Sequence, residues 1–463
     1  MGSATGFETL EEETRIDSLP VEGAMPAWLS GSLLRTGPAK FDVGKREMNH
    51  WFDGFAMLHR FHFAGGAVSY ANRFLEGQAY RAADETGEIT YSEFATDPCR
   101  SLFKRAMAMF RPALSDNANV NLVQLGERFA AMTETPIAVE FDAETLAAAG
   151  VAWEVPGMLT TAHPHLDRGS GGMLNYAAKL GIRNQYRFFR LGAAAGAAPD
   201  VVASLPTREP AYMHSFGLAE RWIVLAEFPY RVNTAALAMS GRPYIENYRW
   251  KPELGTRFTL IERNGGEVLG PFAAEACFGF HHVNAFEDDG GKIVADICTF
   301  DDAAIVSSLY LDNLRSGGSI PPPALSRFTI SPTTGSVAVE RLIEEPIDLP
   351  RIDYGRCNER PYRYVWGIGT DGTGFFDRIV RADLDERSSL TWSEPDCWPG
   401  EPVFVARPDA RGEGDGVLLS LVLDGAAATS FLLVLDATTL AEVGRARVPH
   451  HIPFGFHGQY AAA

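Results

Sequence analysis

The chain has 463 residues, 46% of them hydrophobic and 22% charged. This is a globular composition and excludes a disordered, collagen-like or coiled-coil protein. The net charge of −18, from 41 Lys and Arg against 59 Asp and Glu, argues against a nucleic-acid partner, which would need a basic surface.

The acidic N-terminal stretch lacks a basic region followed by an apolar one, so no signal peptide is expected. No apolar run reaches the length of a membrane span. The five cysteines are odd in number and show no C-x-x-C spacing. A disulfide framework and a thiolate zinc site are therefore not expected, and a cytoplasmic, reducing location is.

Short β-branched or aromatic runs, each bounded by Gly, Pro, Asp or Asn, follow one another along the chain. They include residues 66–74, 221–228, 292–298, 417–423 and 430–435. A strand followed by Asp-x-x-Thr-Leu occurs twice, at Val139 to Leu146 and at Val434 to Leu440. This is the outer hairpin expected of a propeller blade, although two copies do not give a blade count. No linker divides the chain, so 1–463 is expected to be one all-β domain.

Helical patterns are few. Phe103, Met107, Phe110 and Leu114 make a one-sided apolar stripe over 101–114, flanked by Lys104, Arg105 and Arg111. A second apolar piece spans 232–241, with Tyr244, Tyr248 and Trp250 behind it. Both segments, about 98–118 and 230–250, fit either ordinary core or a membrane-contacting patch.

Eleven histidines are spread through the sequence. Those at 163, 165, 214, 281, 282 and 457 stand in four aromatic, apolar or Pro-bounded runs, tens of residues apart. Inner strands of different propeller blades could each point one imidazole at the central axis, whereas a helical motif such as H-E-x-x-H is absent. An all-imidazole site suits Fe, Zn, Cu or Ni. Glu134, Asp348 and Glu401 are candidate carboxylate partners for the outer ring nitrogens. Composition alone does not pick four ligands from eleven histidines.

The chain resembles the carotenoid cleavage oxygenase family along nearly its whole length. The matching segments, in the family's order, are 29–38, Trp51–Phe61, Met132–Thr135, Thr161–His165, Met213–Leu218, Phe280–Glu287, Leu349–Asp353, Gly400–Phe404 and Pro453–Gly458. The strongest likeness is to the animal branch, the β-carotene central-cleavage oxygenases and the retinoid isomerohydrolase. The resemblance implies a seven-bladed β-propeller, capped by loops and helices over an axial metal site. It implies Fe(II) held by His163, His214, His281 and His457, with O2 as co-substrate. His281 is chosen over His282 because it stands three residues before Asn284.

The resemblance further implies that Glu134 orients His214, Glu401 orients His457 and position 348 orients His281. The family usually has Glu where this chain has Asp348. Asp is one methylene shorter, so a direct bond to His281 is expected to need a backbone shift or a bridging water. Glu345, at an odd offset along a strand, is a poor substitute. Thr133, Tyr212 and Phe456 are implied to line the cavity around the scissile bond. Phe300, Phe280 and Phe103 are tunnel candidates that also read as plain core.

The implied reaction is oxidative cleavage of a conjugated C=C bond of a lipophilic polyene into two carbonyls, with central 15,15′ cleavage giving retinal. The segments 102–114 and 232–250 match the family's membrane-dipping entrance, so reversible peripheral membrane contact is expected. No obligate protein partner is expected. Three other readings compete. Stilbene cleavers place a Lys directly before the oriented Glu, and Thr133 here counts against them. Retinyl-ester isomerohydrolysis is a specialised role. A non-catalytic carotenoid-binding propeller would not need four histidines.

Overall fold

The computed structural model describes residues 2–98 and 114–463. Seven antiparallel sheets of four to six strands follow one another in chain order, the arrangement of a seven-bladed β-propeller. Numbering blades in chain order, blade 2 shows the pattern. Asn121–Leu125 lies at one edge of its sheet, followed outward by Arg128–Met132, Ile137–Phe141 and Ala148–Glu154.

Burial follows this order. The outer strands Ala148–Glu154 and Val337–Arg341 are largely exposed, whereas Trp222–Glu227 and Ile293–Thr299 are buried throughout. Middle strands are covered on both faces by neighbouring blades, so they read in sequence as continuous apolar runs rather than as alternation.

The ring is closed from both ends of the chain. The C-terminal strand Gly458–Ala462 pairs with Gly31–Lys40 of blade 1, and the N-terminal Val21–Gly23 pairs with Glu442–Val448 of blade 7. Gly31 sits at φ +135, where a Cβ would lie 2.2 Å from the Ala461 carbonyl, so this closing contact requires glycine.

The two Asp-x-x-Thr-Leu repeats are the same turn in blades 2 and 7. Asp142 Oδ1 accepts from the Thr145 amide and hydroxyl, and Asp436 Oδ1 accepts from those of Thr439. Leu146 and Leu440 each take a left-handed φ, +58 and +56.

Short helices and loops cap one end of the ring. The helix Gln78–Thr86 begins after Gly77, which has no side chain to cap it. The Asp116 carboxylate supplies the cap across space, accepting from the Gln78 and Ala79 amides at 2.6 and 2.9 Å. Trp51 Nε1–H donates to the Phe454 carbonyl, which ties the short helix Trp51–Asp53 to the segment before the last strand.

The amphipathic segment expected over 101–114 falls outside the described residues up to 113, and Phe103 with it. The helix Thr234–Ser240 has no fully buried residue, and its Leu237 packs in part against the core. Among the described residues no helix is long and apolar enough to cross a membrane.

Candidate metal centre

Each blade begins its innermost strand at the capped end of the ring, and the residues just before or at those starts meet near the axis. His163 precedes His165–Asp167 by two residues, and His214 precedes Gly217–Leu218 by three. His281 and His457 immediately precede His282–Glu287 and Gly458–Ala462. The other three blades place Asp348 at the first position of Asp348–Arg351, Glu401 two residues before Val403–Ala406, and Val120 directly before Asn121–Leu125. Seven strand starts thus supply four imidazoles, two carboxylates and one valine.

One nitrogen from each of His163, His214, His281 and His457 lies within 4.8 Å of the others. The Nε2 atoms of His163 and His214 are 3.0 Å apart, and those of His281 and His457 are 3.3 Å apart. Three of the rings are fixed from behind. His214 Nδ1–H donates to Glu134 at 2.6 Å, His281 Nδ1–H to Asp348 at 2.7 Å and His457 Nδ1–H to Glu401 at 2.7 Å. Among the described residues no carboxylate bonds the His163 ring; the His163 amide donates to Thr161 Oγ1.

This hydrogen bonding sets the tautomers. A neutral ring that donates from Nδ1 carries a bare lone pair on Nε2. Burial holds His163 and His214 below the ordinary histidine value and pushes His457 down to about 4, so these rings are neutral. His281 and His457, each bonded to a carboxylate through Nδ1, turn their Nε2 atoms toward each other across 3.3 Å, a spacing that one metal ion bound by both nitrogens would span. The donor set fits a divalent transition metal bound by neutral imidazoles.

The adjacent His282 points away from the centre and bonds Ser215 Oγ. His165 is likewise occupied, with the Phe216 carbonyl and the Tyr354 hydroxyl.

The carboxylates differ in their surroundings. Glu134 Oε1 also accepts from the Tyr212 hydroxyl at 2.6 Å. Asp348 bonds His281 directly, with no bridging water needed. Its strand pairs irregularly between Asp348 and Arg351, and Leu349 takes a φ of +46. The backbone thus supplies the reach that the shorter side chain lacks. Glu345, whose offset excluded it, pairs with Arg378 instead.

Glu401 is clamped. Arg351 donates to both of its oxygens, at 2.7 and 3.0 Å, and the Gly458 amide donates at 3.0 Å. Arg35 lies 3.8 Å away. Burial alone would raise the Glu401 carboxyl, but Arg351, His457 and Arg35 outweigh it and hold the group well below the usual carboxylate range. Both arginines stand in matched segments of the sequence, yet nothing in their spacing marked them. An Arg within an otherwise apolar strand, as in Leu33-Leu34-Arg35, was the available signal.

A small chamber of about 30 Å³ beside the histidines is lined by Trp51, Phe52, Phe280, Ile305, Leu349 and Phe456. A larger cavity of about 460 Å³ shares Phe52 and Val120 with it and takes in Thr133 and Glu134. Its outer end is walled by Leu180, Gly181 and the helix residues Thr234, Leu237 and Ala238. Of the expected cavity residues, Thr133 lines the larger cavity and Phe280 and Phe456 line the chamber. Tyr212 lines neither, because its hydroxyl is drawn onto Glu134 and its ring packs among Phe94, Phe278 and Phe280. Phe300 packs behind Phe280, its backbone bonded to Phe278, and is core. Trp51, Phe52 and Ile305 were not anticipated.

The family model described as retinal pigment epithelial membrane protein matches residues 7–462. The chain belongs to this family, the carotenoid cleavage oxygenases. It is 34% identical to the mitochondrial carotenoid-cleaving dioxygenase of Mustela putorius furo, over 98% of this chain and 95% of that protein. It is 32% identical to the β,β-carotene 15,15′-dioxygenase of Rattus norvegicus, over 95% of this chain and 88% of that one. A solved variant of the Synechocystis apocarotenoid oxygenase superposes with a TM-score of 0.88 at 26% identity, over 99% of this chain and 98% of the other. A cobalt-substituted form of that oxygenase gives 0.86 at 25% identity, with the same coverage. This oxygenase is accordingly an enzyme of the dioxygenase class.

Proposed function

We propose that this oxygenase is a non-haem Fe(II) enzyme that uses O2 to cleave a conjugated C=C bond of a carotenoid or apocarotenoid into two carbonyl products. We further propose that the bond is the central 15,15′ bond, with retinal as a product. The observation that carries the reading is the convergence of four imidazole Nε2 atoms beside the aromatic-lined chamber. His163, His214, His281 and His457 would hold the metal. Bound there, Fe(II) would supply open positions and the electrons needed for O2 to react beside the polyene.

The chain's own residues do the rest. Glu134, Asp348 and Glu401 keep the Nδ1 protons in place and so keep each Nε2 lone pair directed at the centre. Trp51, Phe52, Phe280 and Phe456 exclude water from the chamber and give a polyene an aromatic surface to lie against. The overall balance needs no proton transfer: one O2 is consumed and each product keeps one oxygen atom. No acid–base pair is required of the site.

Thr133 offers no cation before Glu134 to bind a phenolate, which disfavours stilbene cleavage. The exposed Met239 on the helix Thr234–Ser240, and Ile182 beside the Leu180–Gly181 wall, support peripheral contact with a membrane that delivers the substrate at the outer end of the cavity.

The test is cleavage of β-carotene under isotopically labelled O2 by protein of measured iron content, with rapid reduction of the aldehyde to prevent exchange. Retinal labelled in nearly every molecule supports the reading. Label in half of the molecules would mean that one oxygen comes from water and would overturn the dioxygenase chemistry.

A further inference from the structure

The larger cavity is lined by both hydrocarbon and polar groups, with Ser92, Asp97, Thr234, Arg242 and Tyr244 among the polar ones. Leu159, Leu180, Leu237, Phe52 and Phe94 contribute hydrocarbon, whereas Glu93, Ser115, Thr133 and Thr135 form a polar strip. The strip is internally bonded. Ser115 Oγ–H donates to Glu93 Oε1 at 2.6 Å, and Thr135 Oγ1–H donates to the Ser115 carbonyl at 2.7 Å. Thr135 directly follows Glu134, the partner of His214, so the strip runs back to the candidate metal centre. Glu134 already accepts from both His214 and Tyr212 on one oxygen. Glu93 has no part in holding the histidines. Glu93 is partly exposed and stands in the cavity lining with one oxygen bonded by Ser115, so its carboxyl can bond a further group there, and a few placed polar groups in a cavity orient its ligand.

We propose that Glu93 is a specificity-determining anchor that hydrogen-bonds the hydroxyl or carbonyl oxygen at one end of an oxygenated polyene. The inference rests on the polyene-cleavage reading above and adds to it a preference for oxygenated over purely hydrocarbon substrates. Burial pushes the Glu93 carboxyl up to about 8, against the opposing effect of the Ser115 bond. At neutral pH the group is therefore mainly the protonated acid. In that form it can donate to a terminal carbonyl as well as accept from a hydroxyl. Two glutamates on one cavity thus have separate tasks, Glu134 at the ligand ring and Glu93 at the substrate.

The experiment uses the purified full-length protein and two probes, apo-8′-carotenal with its terminal aldehyde and β-carotene with no oxygen. Binding is followed by tryptophan quenching, and the position of the bound aldehyde's absorption band is recorded. A hydrogen bond donated to the carbonyl moves that band to the red. The wild type is expected to show the red shift. Glu93→Leu is expected to abolish it and to weaken aldehyde binding about tenfold, the usual size of one lost hydrogen bond, with β-carotene binding unchanged. Equal weakening for both probes, or a red shift that persists in Glu93→Leu, would overturn the anchor while leaving the polyene reading intact. A wild type that binds neither probe would overturn that reading and the anchor with it. Should Glu93→Leu not fold, the carbonyl stretch of the bound aldehyde decides. A frequency below the detergent value in the wild type, moved back toward it in Glu93→Gln, is expected; no displacement in the wild type would overturn the proposal.

Discussion

His281 Nδ1 and Asp348 Oδ1 lie 2.7 Å apart, a direct bond made by the shorter of the two acidic side chains. The bond exists because the strand is irregular at that point and Leu349 adopts a left-handed φ. Asp348 is only 4% exposed, so there is little room for an added methylene. Asp348→Glu is therefore expected to displace the His281 ring at an overpacking cost of about 1–3 kcal/mol and to bind metal more weakly than the wild type. Asp348→Asn keeps the volume but loses the charge, and should weaken metal binding by ~10–100-fold. Competitive Co(II) titration measures both. Tighter binding by Asp348→Glu would show that the irregular strand is not matched to Asp.

Arg351 holds both oxygens of the buried Glu401, which in turn holds His457. Arg351→Met leaves that carboxylate with one distant guanidinium. Removing one partner of a buried pair typically costs ~3–5 kcal/mol, and solvent screening of the partly exposed Arg351 brings the expectation here to about 2 kcal/mol. The thermal midpoint should fall and metal affinity should fall with it, while Arg351→Lys restores part of both. An Arg351→Met protein with wild-type metal affinity would mean that Glu401 is held well enough by Arg35 and the Gly458 amide.

The candidate histidines stood out because they lie at strand starts, but picking the four ligands from eleven needed the family resemblance. Each of His163, His214, His281 and His457 sits where a blade meets the axis, and such positions recur in sequence as isolated imidazoles in apolar runs. The seven blades were not legible. The Asp-x-x-Thr-Leu turn marks only blades 2 and 7, and the other outer hairpins turn with different chemistry. The choice of His281 over His282 needed the family resemblance, since neighbouring residues on a strand share composition and differ only in face. Tyr212, two residues before His214, bonds Glu134 through its hydroxyl, a link that its sequence position did not show. Glu93 gave no signal at all, because its meaning depends on a cavity wall assembled from segments far apart in the chain.

A carboxyl that titrates at about 8 when folded and near 4.5 when unfolded binds a proton in the native state that the unfolded chain has released. Glu93 thus contributes stability at low pH that is lost as the pH rises through the folded value. Asp53, pushed up to about 6 by burial, acts in the same direction over a lower range. The difference in thermal midpoint between Glu93→Gln and the wild type isolates the Glu93 contribution. It should grow in favour of the variant between pH ~5 and pH ~8 and then level off. A difference that does not change with pH would show that Glu93 titrates normally.

The helix Thr234–Ser240 presents Met239 at 75% exposure, and Ile182, next in sequence to the cavity-lining Leu180 and Gly181, is fully exposed. Ile182→Glu with Met239→Glu should reduce co-sedimentation with neutral phosphatidylcholine vesicles severalfold and leave the thermal midpoint unchanged, because neither side chain is packed. Unaltered co-sedimentation would mean that any membrane contact lies elsewhere.

The central claim is that the four-histidine centre cleaves a polyene, and product analysis tests it most directly. Protein loaded with Fe(II) is given O2 with detergent-solubilised β-carotene or apo-8′-carotenal, and carbonyl products are identified by chromatography and mass. The account predicts retinal from the iron-loaded protein and none from His281→Ala or His457→Ala. Iron bound at the centre with no carbonyl product from either polyene would contradict it.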